Sequence, residues 1–293
     1  MLRNKQNLWK EEEKKVIDYL EKFIKEEDEF KTILFLKNNT SRNGEGGLRK
    51  KGYFRITDNK SPLITIITVV LNDSENIEAT ILSVLNQNYT NVEFIVIDGG
   101  STDGTLEIIK KYDDFIDYWV SEKDKGIYDA MNKGCRLAFG EGICFLNSKD
   151  IFKGEILNHN IQFPFLVPCK IKEGSQEISK PNMSVKDYSV FYNNLGMPTS
   201  HQAMIFKNKK ILYDLNYKIS SDYDFFIKHG VFFNLNTNCS GYVLYDNDGI
   251  SKQNKIRRNY ETLCIIFKYY GLLSCLNFIF KRGINNLTNF LKI

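Results

Sequence analysis

The sequence is poor in the features that would name a function at a glance. Its six cysteines (Cys135, Cys144, Cys169, Cys239, Cys264 and Cys275) are scattered over 293 residues, with no CxxC pair and no metal-like spacing. Cys135 and Cys144 lie in apolar contexts, where a free thiol behaves as a small hydrophobe. The opening MLRNKQNLWKEEEKK is charged where a secretory signal needs an apolar core, so the reducing cytoplasm is the expected compartment. No internal repeat is visible. The glycine-bearing run Asp98-Gly99-Gly100-Ser101-Thr102-Asp103-Gly104 is not GxGxxG, which disfavours a dinucleotide fold of the dehydrogenase kind. The polar clusters described below carry no basic stripe, which excludes nucleic acid as the expected partner. The apolar C-terminal stretch is broken by Lys268 and Asn277, a poor fit to a membrane-crossing helix of ~20 apolar residues.

What the chain does have is a patterned stretch from Ser61 to Asp150. Leu63 to Val70 (LITIITVV) is a continuous apolar, β-branched run, the pattern of a strand covered on both faces. Asn72-Asp73-Ser74 follows, with Ser74 the expected N-cap of a helix whose Ile77, Ile81, Val84 and Leu85 share a face. Val92 to Ile97 is a second buried strand that runs into Asp98. Leu106 and Ile109 mark a second helix, Tyr118 to Ser121 a third strand. Ile127, Met131, Cys135 and Ala138 stripe a third helix, and Ile143 to Leu146 is a fourth strand. Strands alternating with helices imply an α/β fold with a mostly parallel sheet, whose ligands sit outside the carboxyl ends of the strands. The polar clusters after Val70, Ile97, Ser121 and Leu146 all fall at that edge.

These segments carry a resemblance. PLITIITVVLNDSENIEATILSVLNQNYTNVEFIVIDGGSTDGT, SEKDKGIYDAMNKG and FLNSKD, in that order, resemble family 2 glycosyltransferases of the GT-A (Rossmann-like) fold, and among them bacterial enzymes of capsule, exopolysaccharide or O-antigen synthesis. The likeness is strong over 61–150, weaker to about Ser251, and absent before Asp58. It implies a helical extension and linker over 1–60, a GT-A domain over 61–250, and basic amphipathic helices over 251–293.

The resemblance also implies roles, each with a plainer alternative. Asp98 matches an aspartate that contacts the nucleoside, or it caps the turn over Gly99 and Gly100. Asn72 and Asp73 line the same nucleotide-sugar pocket, or Asp73 only ends a helix. Asp124 is a nucleotide contact, an N-cap, or both. Tyr128 and Asn132 stand one helical turn apart as supporting residues. Asn147-Ser148-Lys149-Asp150 occupies the place of the family's DxD motif with one carboxylate in it. Either Asp150 holds a divalent cation, Mn²⁺ or Mg²⁺, or the Lys149 ammonium neutralises the diphosphate directly. Asp222 matches the general base, with Asp224 the lesser candidate, and Ser221 or Asp222 is otherwise a plain N-cap. His201 and Gln202 resemble an acceptor-side pair. His159 and His229 have no such context.

The function so implied is inverting transfer of a sugar from a nucleotide-sugar, UDP-linked, to a saccharide or lipid-linked acceptor in surface polysaccharide synthesis. The alternative is a non-catalytic GT-A scaffold in an assembly complex. A nucleotidyltransferase shares the architecture but needs a glycine-rich, arginine-containing N-terminal loop, which is missing. From Ser251 onward eight basic residues face the single Glu261, a net +7, which leaves −3 for the rest of a chain whose total is +4. With Leu263, Ile266, Phe267, Tyr270 and Leu273 in a stripe, that tail reads as a helix on the anionic inner membrane surface or packed on the domain. Lys10 to about Lys25 reads as a solvated helix packed on the main domain, and polar, glycine-containing Asn38 to Lys60 as a linker.

Overall fold

The computed structural model describes residues 30–55, 61–157, 163–174, 176–179, 197, 199–229, 234–235, 239–246 and 254–290. The expected helix over Lys10–Lys25 lies outside the described residues.

The patterned stretch folds as β2 (Ile64–Val70), α1 (Ile77–Leu85), β3 (Val92–Asp98), α2 (Thr105–Lys111), β4 (Tyr118–Ser121), α3 (Ile127–Leu137) and β5 (Gly142–Phe145), preceded by β1 (Gly44–Gly46). Every residue of β2 is buried. The reason is that helices cover both sheet faces. Ile67, Val69, Ile95 and Ile97 pack with Met131 and Cys135 of α3 on one side. Ile64, Ile66, Phe94 and Val96 pack with Ile77, Ile81, Leu106 and Ile109 of α1 and α2 on the other. Each such side chain taken fully out of water contributes about 1.5–3 kcal/mol.

Strands β4, β3, β2 and β5 are parallel neighbours in that order. Their register pairs Val70 with Asp98 and Asp98 with Ser121, so three strand ends form one row. The chain then adds β6 (Ile151–Lys153), β7 (Phe165–Leu166), β8 (Cys169–Glu173), β9 (Gln176–Ser179), β10 (Met204–Lys207), α4 (Ser221–Lys228), β11 (Asn234–Leu235), β12 (Tyr242–Asp246) and α5 (Lys255–Phe290). One sheet runs β1-β4-β3-β2-β5-β10-β7-β11, with β10 antiparallel to β5. A second runs β6-β12-β8-β9 and brings the end of β12 beside the turn after β5.

Three local expectations change. The supposed linker is part of the domain: β1 pairs antiparallel with β4 and closes the sheet edge. Arg49 behind it is buried, with Nη2 donating to Glu93 Oε1 at 2.6 Å and to the Leu137 carbonyl at 2.9 Å. The glycines read as loop there for want of side chains. In the fold they let the backbone close on Trp119, whose ring would stand 2.7 Å from a Cβ on Gly46. Ser74 is not the cap of α1. Its amide donates to Asp103 Oδ2 at 3.0 Å, and the helix starts after a further turn at Ile77. Finally, α5 bends at Gly271, whose φ of 77° and ψ of −178° interrupt the helix.

Candidate active site

The end of β2 borders a cleft of about 480 Å³, lined by the turns after β2 and β5, the start of α3, the 3-10 turn His201–Ala203, the entry to α4 and the end of β12. The turn after β2 is a hub. Asn72 adopts φ 50°, and its Oδ1 accepts from the Thr102 amide at 2.9 Å while its own amide donates to Ser101 Oγ at 2.7 Å. Asp73 Oδ1 accepts from Asn76 Nδ2 and Oδ2 from Ser148 Oγ, both at 2.6 Å. The first turn is thereby stitched to the 98–104 turn on one side and to the 147–150 turn on the other.

Asp98, expected as a nucleoside contact, is not among the residues lining this cleft. Its carboxylate is fully buried and accepts from the Ser101 amide, from Ser101 Oγ, and from Ser121 Oγ at 2.5 Å. A short carboxylate at a strand end, followed by a tight glycine turn, is satisfied by the turn itself. Gly99 and Asp124 adjoin the cleft behind Leu71. Asp124 is not the N-cap of α3, which is Gly126; its Oδ1 accepts from the Gly126 amide at 2.8 Å, one step before the helix. Its Oδ2 would lie 2.6 Å from a Cβ on Gly99, so only glycine lets this carboxylate settle there. Burial raises the Asp124 carboxyl above its ordinary value, and the Asp98 and Asp129 charges add to the rise.

In the turn after β5, Lys149 takes a left-handed φ of 81° and is exposed, whereas Asp150 is buried. Gln202 Nε2 donates to Asp150 Oδ2 at 2.9 Å, and Gln202 Oε1 accepts from Ser200 Oγ. Both ends of the Gln202 amide are therefore engaged. It holds Asp150 and also lines the cleft, where acceptor contact was expected. The Asp246 amide approaches Asp150 Oδ1 at 3.3 Å. Burial pushes the Asp150 carboxyl up to about 7, and among the described residues no lysine or arginine pairs with it. Nearby, Asn147 Oδ1 is buried without a hydrogen-bond partner. An orphaned oxygen and a buried, uncompensated carboxylate in one turn suit a hard divalent cation that keeps water and phosphate oxygens as its other ligands. No three His, Cys, Asp or Glu side chains gather into a metal centre among the described residues, so the chain's own share of such a site is small.

Across the cleft, Asp222 is the second residue of α4, with about a quarter of its side chain open. Burial of the remainder pushes its carboxyl up to about 6. Its Oδ2 lies 3.7 Å from His201 Nδ1, and Tyr128 Oη stands 3.5 Å from Oδ1 while donating to the Ile219 carbonyl at 2.7 Å. Desolvation lowers His201 to about 4, so the imidazole is neutral at neutral pH and its contact with Asp222 is not an ion pair. Asp224 is a correction. It points away from the cleft, fully buried, and binds Lys268 Nζ at 3.1 Å and Tyr269 Oη at 2.9 Å. Its place two residues after Asp222 turns it about 200° around the helix. Lys218, Tyr245 and Asp246 also line the cleft and were not foreseen. Nothing local marks them, because they arrive from segments about 70 to 100 residues downstream of the turn they face.

Residues 65–159 match the family model described as glycosyl transferase family 2. An uncharacterized glycosyltransferase of Mycobacterium tuberculosis is 41% identical over 95 residues, 32% of this chain and 36% of that one. TuaG of Bacillus subtilis, whose name places it in teichuronic acid biosynthesis, is 36% identical over 114 residues, 38% and 45% of the two chains. The chain thus spans less than half the length of these two relatives. Among solved structures, a mannosyltransferase of Pyrobaculum calidifontis in complex with GDP-Man and Mn²⁺ superposes with a TM-score of 0.50 at 18% identity, over 75% of this chain and 68% of that one. Residues 65–159 are therefore a glycosyl transferase family 2 domain, set in a sheet of GT-A fold.

Proposed function

We propose that this protein transfers a sugar from a nucleotide-sugar donor, UDP-linked, to a hydroxyl of a saccharide or lipid-linked acceptor in bacterial surface polysaccharide synthesis. The observation that carries the reading is Asp222. It is a partly exposed carboxylate lining the same cleft as the 147–150 turn, with its proton affinity raised by burial to about 6. A base of that strength is ionised at neutral pH yet still able to take a proton from an attacking hydroxyl. The Tyr223 amide, donating to Asp222 Oδ1 at 2.9 Å, holds the carboxylate, with Tyr128 and His201 beside it. One base and one stabilised leaving group are what direct displacement with inversion requires.

On the donor side the strand-end turns supply the wall. The carboxylate of Asp73 holds the 147–150 turn through Ser148, and the exposed Lys149 lines the cleft, where its ammonium would meet the charge of a leaving diphosphate. A divalent cation would be held by Asp150 and Asn147, and its chemistry there is neutralisation of the diphosphate. The mannosyltransferase bound to GDP-Man and Mn²⁺, and the teichuronic acid relative, support both the donor class and the pathway class.

The test is thermal protection by a panel of nucleotide sugars, followed by donor hydrolysis and product stereochemistry. A ligand at ~100 times its dissociation constant adds about 2.7 kcal/mol to stability. Protection by one nucleotide sugar with slow release of its sugar to water supports the reading. A scaffold would leave every donor uncleaved, and that result would overturn it.

A further inference from the structure

Helix α5 has two unlike halves. Before the bend at Gly271 it is fastened to the domain. Ile265, Ile266 and Tyr269 are buried, and Lys268 and Tyr269 hold Asp224. Glu261 accepts from the amides of Lys218, Ile219 and Ser220, the loop that delivers Asp222 to the cleft. Beyond the bend the pattern inverts. Leu272, Leu273, Leu276, Ile279 and Phe280 are all more than half exposed, with Leu273 at 82%, while Cys275 and Phe278 between them turn inward. At 100° per residue the five exposed positions fall within one face of about 120°. Contiguous exposed apolar faces of this kind mark a surface that meets something.

The charge of the same segment says what. Residues from 251 onward are net +7 in a chain of +4, and the uncharged 272–280 face is flanked by Lys268 on one side and by Lys281 and Arg282 on the other. A second copy is a poor occupant, because a symmetric contact would set one +7 tail against another. A crossing helix is a poor occupant too. Lys255–Lys281 is long and apolar enough by composition, but its first half is committed to the domain and its second is turned off that axis at Gly271. An anionic lipid surface satisfies both features, taking apolar side chains below the headgroups and cations among them.

We propose that the Leu272–Phe280 face of α5 inserts into the interface of an anionic bilayer as a monotopic anchor. The packed half of α5 then holds the α4 entry, and with it Asp222, at a fixed distance from the lipid. The inference does not depend on the transferase reading.

The experiment is co-sedimentation of the full chain with vesicles of phosphatidylcholine alone or mixed with phosphatidylglycerol, at low and high salt. The wild type should partition to the mixed vesicles, less at high salt, and little to pure phosphatidylcholine. L273E combined with F280E should weaken partitioning about tenfold or more, since two large apolar groups leave the contact. Both side chains are exposed, so the melting temperature should not change. Wild-type protein that stays in solution with every vesicle overturns the proposal, as does unchanged binding of the double variant. A wild-type dimer that L273E dissociates would also overturn it, by giving the face to a second copy.

Discussion

Asp222 and Asp224 stand two residues apart on α4 and face opposite ways: Asp222 Oδ2 looks across the cleft to His201 Nδ1 at 3.7 Å, while Asp224 Oδ1 is tied to Lys268 and Tyr269 of α5. Their variants should separate cleanly. Asp222→Asn keeps the shape but removes the base, so turnover should fall ~100-fold or more with nucleotide affinity little changed. Asp224→Ala removes the fully buried carboxylate that Lys268 Nζ, Tyr269 Oη and the Lys228 ammonium share. Breaking a buried pair on one side costs about 3–5 kcal/mol, so this variant should lose stability in urea while the folded fraction keeps its donor affinity. A fully stable but inactive Asp224→Ala would reverse the assignment.

The pH dependence follows from the same carboxyl. Burial raises Asp222 to about 6, against the attraction of its own backbone and Tyr128 contacts and with the Glu261 charge adding to the rise. His201 is neutral over this range. Turnover at saturating donor and metal should climb as pH rises through about 6 and then level, and the inflection should vanish in Asp222→Asn. Stability runs the other way. The folded state binds this proton more tightly than the unfolded chain, so the contribution is present below about pH 4 and lost as pH rises through about 6. Rate profiles and urea titrations across that window should therefore bend in opposite directions.

Asp98 gives a prediction about folding. Its carboxylate accepts from one amide and two hydroxyls in a fully buried position. Asp98→Ala strands those donors, each at about 1–3 kcal/mol, so the loss should exceed about 3 kcal/mol in chemical denaturation. Nucleotide affinity of whatever fraction folds should stay near wild type. A stable variant with weakened nucleotide binding would restore the nucleoside contact that the sequence pattern implied.

How much of this was legible beforehand varied with distance along the chain. The four parallel strands and their helices could be read because each carries its own periodicity, and two-sided burial leaves an unbroken apolar run such as 63–70. The turn residues Asn72, Asp73 and Lys149 could be placed at the ligand edge because strand ends define it. The roles of Asp98 and Gln202 could not, since a carboxylate or amide at the right edge looks the same whether it faces the cleft or is turned into the protein. Asp246 and Lys218 were invisible because they meet the site only through β12 and the loop before α4. The β1 segment misled by composition: glycines that permit close approach to Trp119 read as slack.

The last prediction concerns charge beneath the diphosphate, where Asp150 and Lys149 make opposite claims. Asp150 is buried, pushed up to about 7, and joined by the orphaned Asn147 oxygen. A cation arriving there must displace the proton, so Mn²⁺-supported nucleotide binding, measured by calorimetry, should strengthen as pH rises through about 7. EDTA should abolish both that binding and turnover, and Asp150→Ala should do the same. Asp150→Ala also frees Gln202, so Gln202→Ala serves as the control for lost positioning alone and should be the milder change. Lys149 is exposed, and its ammonium is screened by solvent and salt, so Lys149→Ala should cost less than either. Should the ammonium stand in for the ion, binding will survive EDTA and Lys149→Ala will be the damaging variant. A dication bridging two phosphate groups offsets more charge than one solvated ammonium does, which favours loss on chelation.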